Sequence, residues 1–103
     1  MATNFVFPIS IKFLHEAKDP EDDNVDVVVL LQDGSERTVT FFTLKNIQTL
    51  LGKYKETREC LSGKYFWAKD MVIAEDLREE TIRAVIYEMV ANKEFETAFG
   101  VVE

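Results

Sequence analysis

The chain has 103 residues, of which 12 are Lys or Arg and 19 are Asp or Glu, so its formal net charge is −7. This length predicts one small domain spanning residues 1–103, and a hydrophobic content of 47% is typical of a globular protein rather than a disordered one. The negative charge argues against nucleic-acid binding through a basic surface.

The first predicted element is a strand near the start of the chain. Its large apolar side chains recur at every second position, which places them on one face of a strand. Pro8 lies within this run and has no N–H to donate, so the sequence predicts a strand at the edge of a sheet. The alternating residues are Phe5, Phe7, Ile9, Ile11 and Phe13.

A polar, acidic segment follows this strand. From Glu16 to Asp26 it contains six acidic residues and one lysine, which gives a local charge of −5. Pro20 and the surrounding polar residues predict a loop. An EF-hand is excluded, because Leu30 stands where the closing bidentate Glu is needed. We interpret the segment as a solvated loop that protects the neighbouring strands from unwanted pairing.

The second and third strands are predicted to form a hairpin with a three-residue loop at residues 32–34. A two-residue loop would put the apolar residues of the two strands on opposite faces, whereas the three-residue loop unites them. Gly34 then occupies the left-handed position that this loop requires. The predicted cross-strand pairs are Val27 with Val39 and Val25 with Phe41.

The first predicted helix begins after Thr43, whose hydroxyl suits an N-cap. Its apolar residues fall on one stripe at helical spacing. We expect the helix to end near Cys60, before the Ser62-Gly63 pair. The stripe consists of Leu44, Ile47, Leu50, Leu51 and Tyr54.

A fourth strand is predicted over residues 64–74. Both of its faces are partly apolar, which is typical of a central strand or of one whose second face a partner covers. The strand follows a helix, so it can pair in parallel with its neighbour. Within it, the consecutive aromatic residues Tyr65, Phe66 and Trp67 must point to alternate faces, so they cannot all enter one core layer.

The second main helix is predicted to begin with Asp76 as its cap and Glu79 three residues later, in the manner of a capping box. Asn92 is expected to end this helix. A short C-terminal helix containing Phe95 and Phe99 should follow. The apolar stripe of the second main helix consists of Ile82, Val85, Ile86, Met89 and Val90.

The element order is therefore β-β-β-α-β-α-α. We predict a single α+β domain with a four-stranded, mostly antiparallel sheet, two main helices on one face and a short C-terminal helix. The residues expected in the core are Phe5, Phe7, Ile9, Ile11, Val25, Val27, Val29, Leu31, Val39, Phe41, Ile47, Leu51, Ile82, Val85, Ile86 and Met89.

The sequence contains no recognisable catalytic or cofactor motif. Its four glycines are too far apart for a dinucleotide fingerprint or a Walker loop. A single histidine, His15, and a single cysteine, Cys60, exclude multi-histidine metal sites, cysteine-cluster zinc sites and an intrachain disulfide. Cys60 is also expected at a helix C-terminus, where the dipole disfavours a thiolate. We predict a non-enzymatic protein with no catalytic, cofactor or metal site.

Two features favour a surface that binds a protein partner. Tyr and Trp are enriched at binding surfaces, because they combine a large apolar area with a polar tip. Residues 44–64 carry five bases and two acids, whereas residues 70–103 carry nine acids and three bases. Such charge asymmetry orients and steers association. The candidate partner surface consists of Phe42, Lys53, Lys55, Arg58, Tyr65, Phe66 and Trp67.

We therefore predict a protein-interaction module, namely an accessory, immunity-type or inhibitor-like small acidic protein that forms a homodimer. One alternative is a small-ligand-binding domain with a pocket near Tyr65 and Trp67, and another is an acidic mimic of nucleic acid. The longest apolar run, residues 27–31, is far below the ~20 residues of a membrane helix, and no secretory signal is visible. A cytoplasmic location is expected. The sequence does not identify the partner.

Overall fold

A computed structural model describes residues 8–92 of the chain. Its elements give a single small α+β domain in the predicted order. The predicted core residues Phe5 and Phe7, the side chain of Ile9, and the C-terminal helix with Phe95 and Phe99 lie outside the described residues. The elements are β1 (Pro8–Phe13), β2 (Asn24–Leu31), β3 (Glu36–Thr43), α1 (Leu44–Thr57), α2 (Glu59–Gly63), β4 (Met71–Ala74) and α3 (Glu79–Ala91).

The four strands form one mixed sheet in the order β1-β2-β3-β4. β1 and β3 both pair with β2 in antiparallel fashion, whereas β4 pairs with β3 in parallel. The edge position predicted for the first strand is confirmed. Among residues 8–92, β4 pairs with β3 alone and forms the other edge of the sheet, so the first of the two alternatives for the fourth strand, a central position, is wrong.

The β2–β3 hairpin has the predicted register. Val27 lies opposite Val39, and Val25 lies opposite Phe41. Gly34 has a φ of +86°, and its N–H donates to the Leu31 carbonyl at 3.0 Å, as a three-residue loop with a left-handed final residue requires. The hairpin therefore keeps the apolar residues of both strands on a single face.

This apolar face of the sheet, the core face, is covered by α3. Ile82, Ile86 and Val90 recur at intervals of four residues, and all three are buried against the sheet. Burying each of them contributes roughly 1.5–3 kcal/mol relative to leaving it exposed. The buried residues of the core are Val25, Val27, Val29, Leu31, Val39, Phe41, Ala74, Leu77, Ile82, Ile86 and Val90, with Ile11, Phe13, Val72, Val85 and Met89 packed partly against them.

Helix α1 begins where the sequence predicts, but it does not dock into this core. The Thr43 hydroxyl accepts a hydrogen bond from the Asn46 N–H at 3.1 Å, which confirms the N-cap. Asn46 is the buried residue of α1, whereas Ile47 and Leu51 are only half-buried. The prediction that Ile47 and Leu51 belong to the core is therefore wrong. The reason is that α1 packs mainly against α2 rather than against the sheet.

The chain leaves α1 earlier than predicted and reverses through left-handed backbone. α1 ends at Thr57, and Arg58 caps it with a φ of +69°. Within α2, residues 60–62 have φ between 50° and 56°. The next residue, Gly63, also has a positive φ, and a Cβ there would collide with the Leu51 carbonyl oxygen of α1. Glycine is therefore required at position 63 for α2 to lie against α1.

Two further predicted boundaries are wrong. The fourth strand covers residues 71–74 rather than 64–74, because residues 65–68 leave the sheet and have no strand pairing. α3 begins at Glu79, with Arg78 rather than Asp76 as its cap residue. Asp76 instead holds the preceding turn, where its carboxylate accepts the Arg78 N–H at 2.9 Å. Asn92 ends α3 as predicted.

Candidate functional site

The aromatic run at residues 65–67 is anchored by its middle member. Phe66 is half-buried, and its ring centroid lies 5.0 Å from that of Phe42 with an interplanar angle of 73°. This edge-to-face geometry is the favourable arrangement for two aromatic rings. Phe41 points into the core, so Phe42, the next residue along β3, points to the second face of the sheet. The aromatic segment therefore lies over the face opposite to α3.

The neighbours of this anchor are exposed. Trp67 has 71% of its surface exposed, and Tyr65 has 47%. Ile73 lies opposite Phe42 in the β3–β4 ladder and is 53% exposed. We call Phe42, Tyr65, Phe66, Trp67 and Ile73 the aromatic surface.

Ile73 is absent from the surface predicted from the sequence. Its place in the alternation could have identified it, because Ile73 is on the same face of the strand as Met71 and therefore faces away from α3. The sequence predicts that both faces of this strand are partly apolar, and that the strand is central or has its second face covered by a partner. In the structure of residues 8–92, Ile73 is exposed at the edge of the sheet.

The structure places the predicted basic residues beside the start of this surface. Lys53, Lys55 and Arg58 are all exposed at the C-terminal end of α1. Gly63 packs directly against Lys55, and Tyr65 follows two residues later. The structure therefore brings Lys55 next to the aromatic segment, and it brings Phe42 into contact with Phe66. Lys53 and Arg58 extend the positive charge along the exposed side of the helix.

The acidic segment between β1 and β2 is tied to the rest of the domain. Asp22 accepts hydrogen bonds through both carboxylate oxygens, from Asn46 Nδ2 at 3.1 Å and from Thr49 Oγ1 at 3.0 Å. Asn24 Nδ2 donates to Asn46 Oδ1 at 3.2 Å. The interpretation as a merely solvated loop is therefore incomplete, because part of this segment holds the N-terminal half of α1.

Asp23 organises the same segment from within. Its carboxylate accepts the Asn24 N–H at 2.8 Å and the Lys18 N–H at 2.9 Å. Partial burial raises the pKa of Asp23, but the hydrogen bonds from Asn24, Lys18 and Asp19 outweigh it, so the pKa lies below its ordinary value of 3.8. The ionised carboxylate therefore keeps the loop in one conformation.

A cleft of about 420 Å³ opens where the acidic segment meets the start of α3. Two backbone hydrogen bonds fix its walls, from the Leu77 N–H to the Pro20 carbonyl at 2.8 Å and from the Leu14 N–H to the Asp26 carbonyl at 3.0 Å. Neither Tyr65 nor Trp67 lines it, so the cleft does not coincide with the ligand pocket that the sequence alternative placed near them. The lining residues are Phe13, His15, Glu16, Ala17, Pro20, Val25, Leu77 and Glu79.

The single histidine and the single cysteine of the chain lie in different environments. His15 Nε2 accepts the Asp26 N–H at 3.4 Å and lies 3.8 Å from the Asp26 carboxylate, at the end of β1. Cys60 is half-buried in the left-handed turn of α2. Across residues 8–92, the structure brings no three His, Cys, Asp or Glu side chains into a group that could hold a metal ion.

Comparison with known proteins identifies no relative of this chain. No protein-family model, curated protein or solved structure matches the chain. None of the helices within residues 8–92 has the length and apolar character needed to cross a membrane. Functional assignment therefore depends on the surfaces and contacts of the domain itself.

Proposed function

We propose that this chain is a non-enzymatic protein-interaction module that binds its partner through the aromatic surface and the basic end of α1. The main support for this proposal is that Trp67 is exposed on a segment that is held against the sheet. Phe66 and Phe42 hold the segment in place, so Trp67 reaches solvent from a fixed position rather than from a free tail. Fixed, exposed aromatic residues lose little conformational entropy on binding, which is why they dominate protein interfaces.

The partner we propose is a second copy of the chain, paired through β4. The Thr40 N–H donates to the Asp70 carbonyl at 3.0 Å. In a parallel pair this bond determines which residues of β4 direct their backbone groups towards β3 and which direct them away. Val72 then directs its backbone N–H and C=O towards β3, whereas Met71 and Ile73 direct theirs away from the sheet. This edge of β4, to which no other strand within residues 8–92 bonds, can pair with its own copy about a two-fold axis, and the pairing brings the two aromatic surfaces together.

Charge complementarity supports the same partner. Lys53, Lys55 and Arg58 give one copy an exposed basic end of α1, while the chain as a whole carries a net charge of −7. A second copy also carries exposed carboxylates, among them Glu80 and Glu88 of α3, which such a basic end can attract. Attraction of this kind between exposed groups is screened by salt, so the dimer should weaken as ionic strength rises.

Trp67 is the single tryptophan of the chain, so its fluorescence reports on this surface alone. We expect sedimentation equilibrium in low salt to show dimers at high micromolar concentration, and the Trp67 emission to move to the blue over the same concentration range. Ile73→Lys should abolish both effects, because it places a charge at this edge of β4. Leu14→Lys changes a side chain of similar exposure, 51% against 53% for Ile73, but lies just after β1 at the opposite edge of the sheet, and should leave both effects unchanged.

An 11.9 kDa species with constant Trp67 emission at every concentration would overturn the second copy as the partner. Loss of the dimer in Leu14→Lys but not in Ile73→Lys would show that association uses a different part of the domain. The acidic nucleic-acid mimic stays a prediction, because nothing in the structure favours it over a module that binds through aromatic side chains.

A further inference from the structure

The cleft between the acidic segment and α3 has the construction of a small-molecule site. Its floor is formed by Val25 and Leu77, which are buried, and Phe13 and Pro20 form apolar walls. Its volume of about 420 Å³ falls within the roughly 300–1,000 Å³ of ligand pockets. The polar groups are confined to the rim, at His15, Glu16 and Glu79.

The walls of the cleft are held in place without a ligand. Backbone hydrogen bonds join Leu77 to Pro20 and Leu14 to Asp26, so both sides of the opening are fixed to the sheet and to α3. The Arg83 guanidinium lies 5.3 Å from the centre of the Phe13 ring and fixes that ring through a cation–π contact. A preformed cleft of this kind loses little entropy when it binds a ligand.

The rim offers carboxylate oxygens that have no partner among residues 8–92. Arg83 donates both of its hydrogen bonds to Glu79 through Oε1, at 2.7 and 3.0 Å, which leaves Oε2 able to accept from a ligand. The Glu16 carboxylate makes no hydrogen bond or ion pair within that range. The surrounding segment, residues 16–26, carries a charge of −5, which attracts cations to the opening.

We propose that this cleft binds a small ammonium ion with an apolar body, such as an arylalkyl- or alkylammonium ion. The apolar part would lie on Phe13, Pro20 and Leu77, and the ammonium group would donate to Glu16 and to Glu79 Oε2. An anionic ligand would face two carboxylates at the rim against one guanidinium, that of Arg83, which is already bonded to Glu79. The proposal is independent of the dimer, because the cleft and the aromatic surface share no residue.

Benzylamine is the probe that tests this site, by titration into the ¹⁵N-labelled full chain with amide shifts as the readout. We expect saturable, roughly millimolar binding, with the largest shifts at Ala17, Val25, Leu77 and Glu79. Benzyl alcohol, which has the same ring and no charge, should bind at least about fivefold more weakly, and phenylacetate should not bind.

Two variants locate the binding, and a third is their control. Ala17→Leu fills the cleft and should abolish saturable shifts, while its amide spectrum reports that the domain remains folded. Glu16→Gln keeps the shape but removes a charge, and should raise the dissociation constant of benzylamine about fivefold. Glu36→Gln removes an exposed carboxylate from β3, away from the cleft, and should change nothing.

Equal affinity for benzylamine and benzyl alcohol would overturn the assignment of a cationic ligand. Shifts that persist in folded Ala17→Leu, or that weaken equally in Glu16→Gln and Glu36→Gln, would show diffuse attraction to an acidic surface rather than a site. Since dimer formation is measured separately through Trp67, neither result bears on the proposed function.

Discussion

The side chain of Asn46 in α1 donates a hydrogen bond to the Asp22 carboxylate at 3.1 Å, and this contact joins the basic helix to the acidic segment. Asn46 also accepts from Asn24 at 3.2 Å and is itself buried. A polar residue thus occupies the position at which an amphipathic helix would ordinarily bury an apolar one. The orientation of α1 is set by this network rather than by its apolar stripe.

Asn46→Ala should therefore destabilise the domain more than its size suggests. The substitution leaves Asp22 and Asn24 without their shared partner, and stranded polar groups of this kind cost about 1–3 kcal/mol. Urea denaturation measures the loss. Gln48→Ala, at an exposed position of the same helix, controls for helix propensity and should change the unfolding free energy by less than about 0.5 kcal/mol. Equal effects of the two substitutions would contradict the role given to this network.

Truncating an apolar side chain of α3 should destabilise the domain far more than the same truncation in α1. Ile86 is fully buried on the face of α3 that packs on the sheet, so Ile86→Ala should lower the unfolding free energy by about 2–5 kcal/mol. Ile47 is only half-buried, so Ile47→Ala removes the same atoms at a fraction of that cost. Thermal or urea unfolding of the two variants gives the comparison directly. A loss in Ile47→Ala as large as that in Ile86→Ala would show that α1 docks into the core.

Two glycines near the end of α1 should respond in opposite directions to the same substitution. Gly52 is helical with open space around its Cα, so Gly52→Ala should stabilise the domain by about 0.5–1 kcal/mol. Gly63 has a φ of +78° and lies against the Leu51 carbonyl, so Gly63→Ala should cost at least about 1–2 kcal/mol. Urea midpoints of the two variants suffice as the measurement. Stabilisation by Gly63→Ala would rule out the left-handed turn that holds α2 on α1.

The lowered pKa of Asp23 predicts a defined loss of stability in acid. Burial raises this pKa, but the hydrogen bonds from Asn24 and Lys18 lower it by a larger amount, so that it lies below the 3.8 expected in the unfolded chain. The folded state then binds fewer protons than the unfolded state, so the contribution of Asp23 is present above pH 3.8 and is lost as pH falls through the folded pKa. Asp23→Asn should flatten the decline of the urea midpoint below pH 4, whereas Glu36→Gln should not. An identical decline in the two variants would contradict this assignment.

The local features of the fold can be predicted from the sequence because neighbouring residues determine them. The hairpin register follows from the alternation of valines together with the left-handed requirement at Gly34, and both are confirmed. The N-cap at Thr43 depends only on a hydroxyl three residues before an amide. These are contacts within a few residues of sequence, so no knowledge of tertiary packing is needed.

Other features depend on what an element packs against, which periodicity does not reveal. The stripe of α1 has helical spacing, but nothing in that spacing indicates that Asn46 would be buried instead of Ile47. The alternation at residues 65–68 is also that of a strand, but in the structure the segment lies outside the sheet, where the Phe66 ring packs on Phe42. The cleft could not be predicted, because Pro20 and Leu77 meet across most of the chain.

Because β4 joins the sheet through parallel pairing with β3, residues 44–70 must form a closed loop before those two strands can bond. The β2–β3 hairpin closes over only three residues and pays much less loop entropy. Folding should therefore begin at the hairpin and finish at β4. In the folded protein this larger loop entropy makes β4 open before β2 and β3. The amides of β4 should therefore exchange with solvent before those of β2 and β3. The domain can then lose the edge that carries the aromatic surface, and regain it, while its core stays closed.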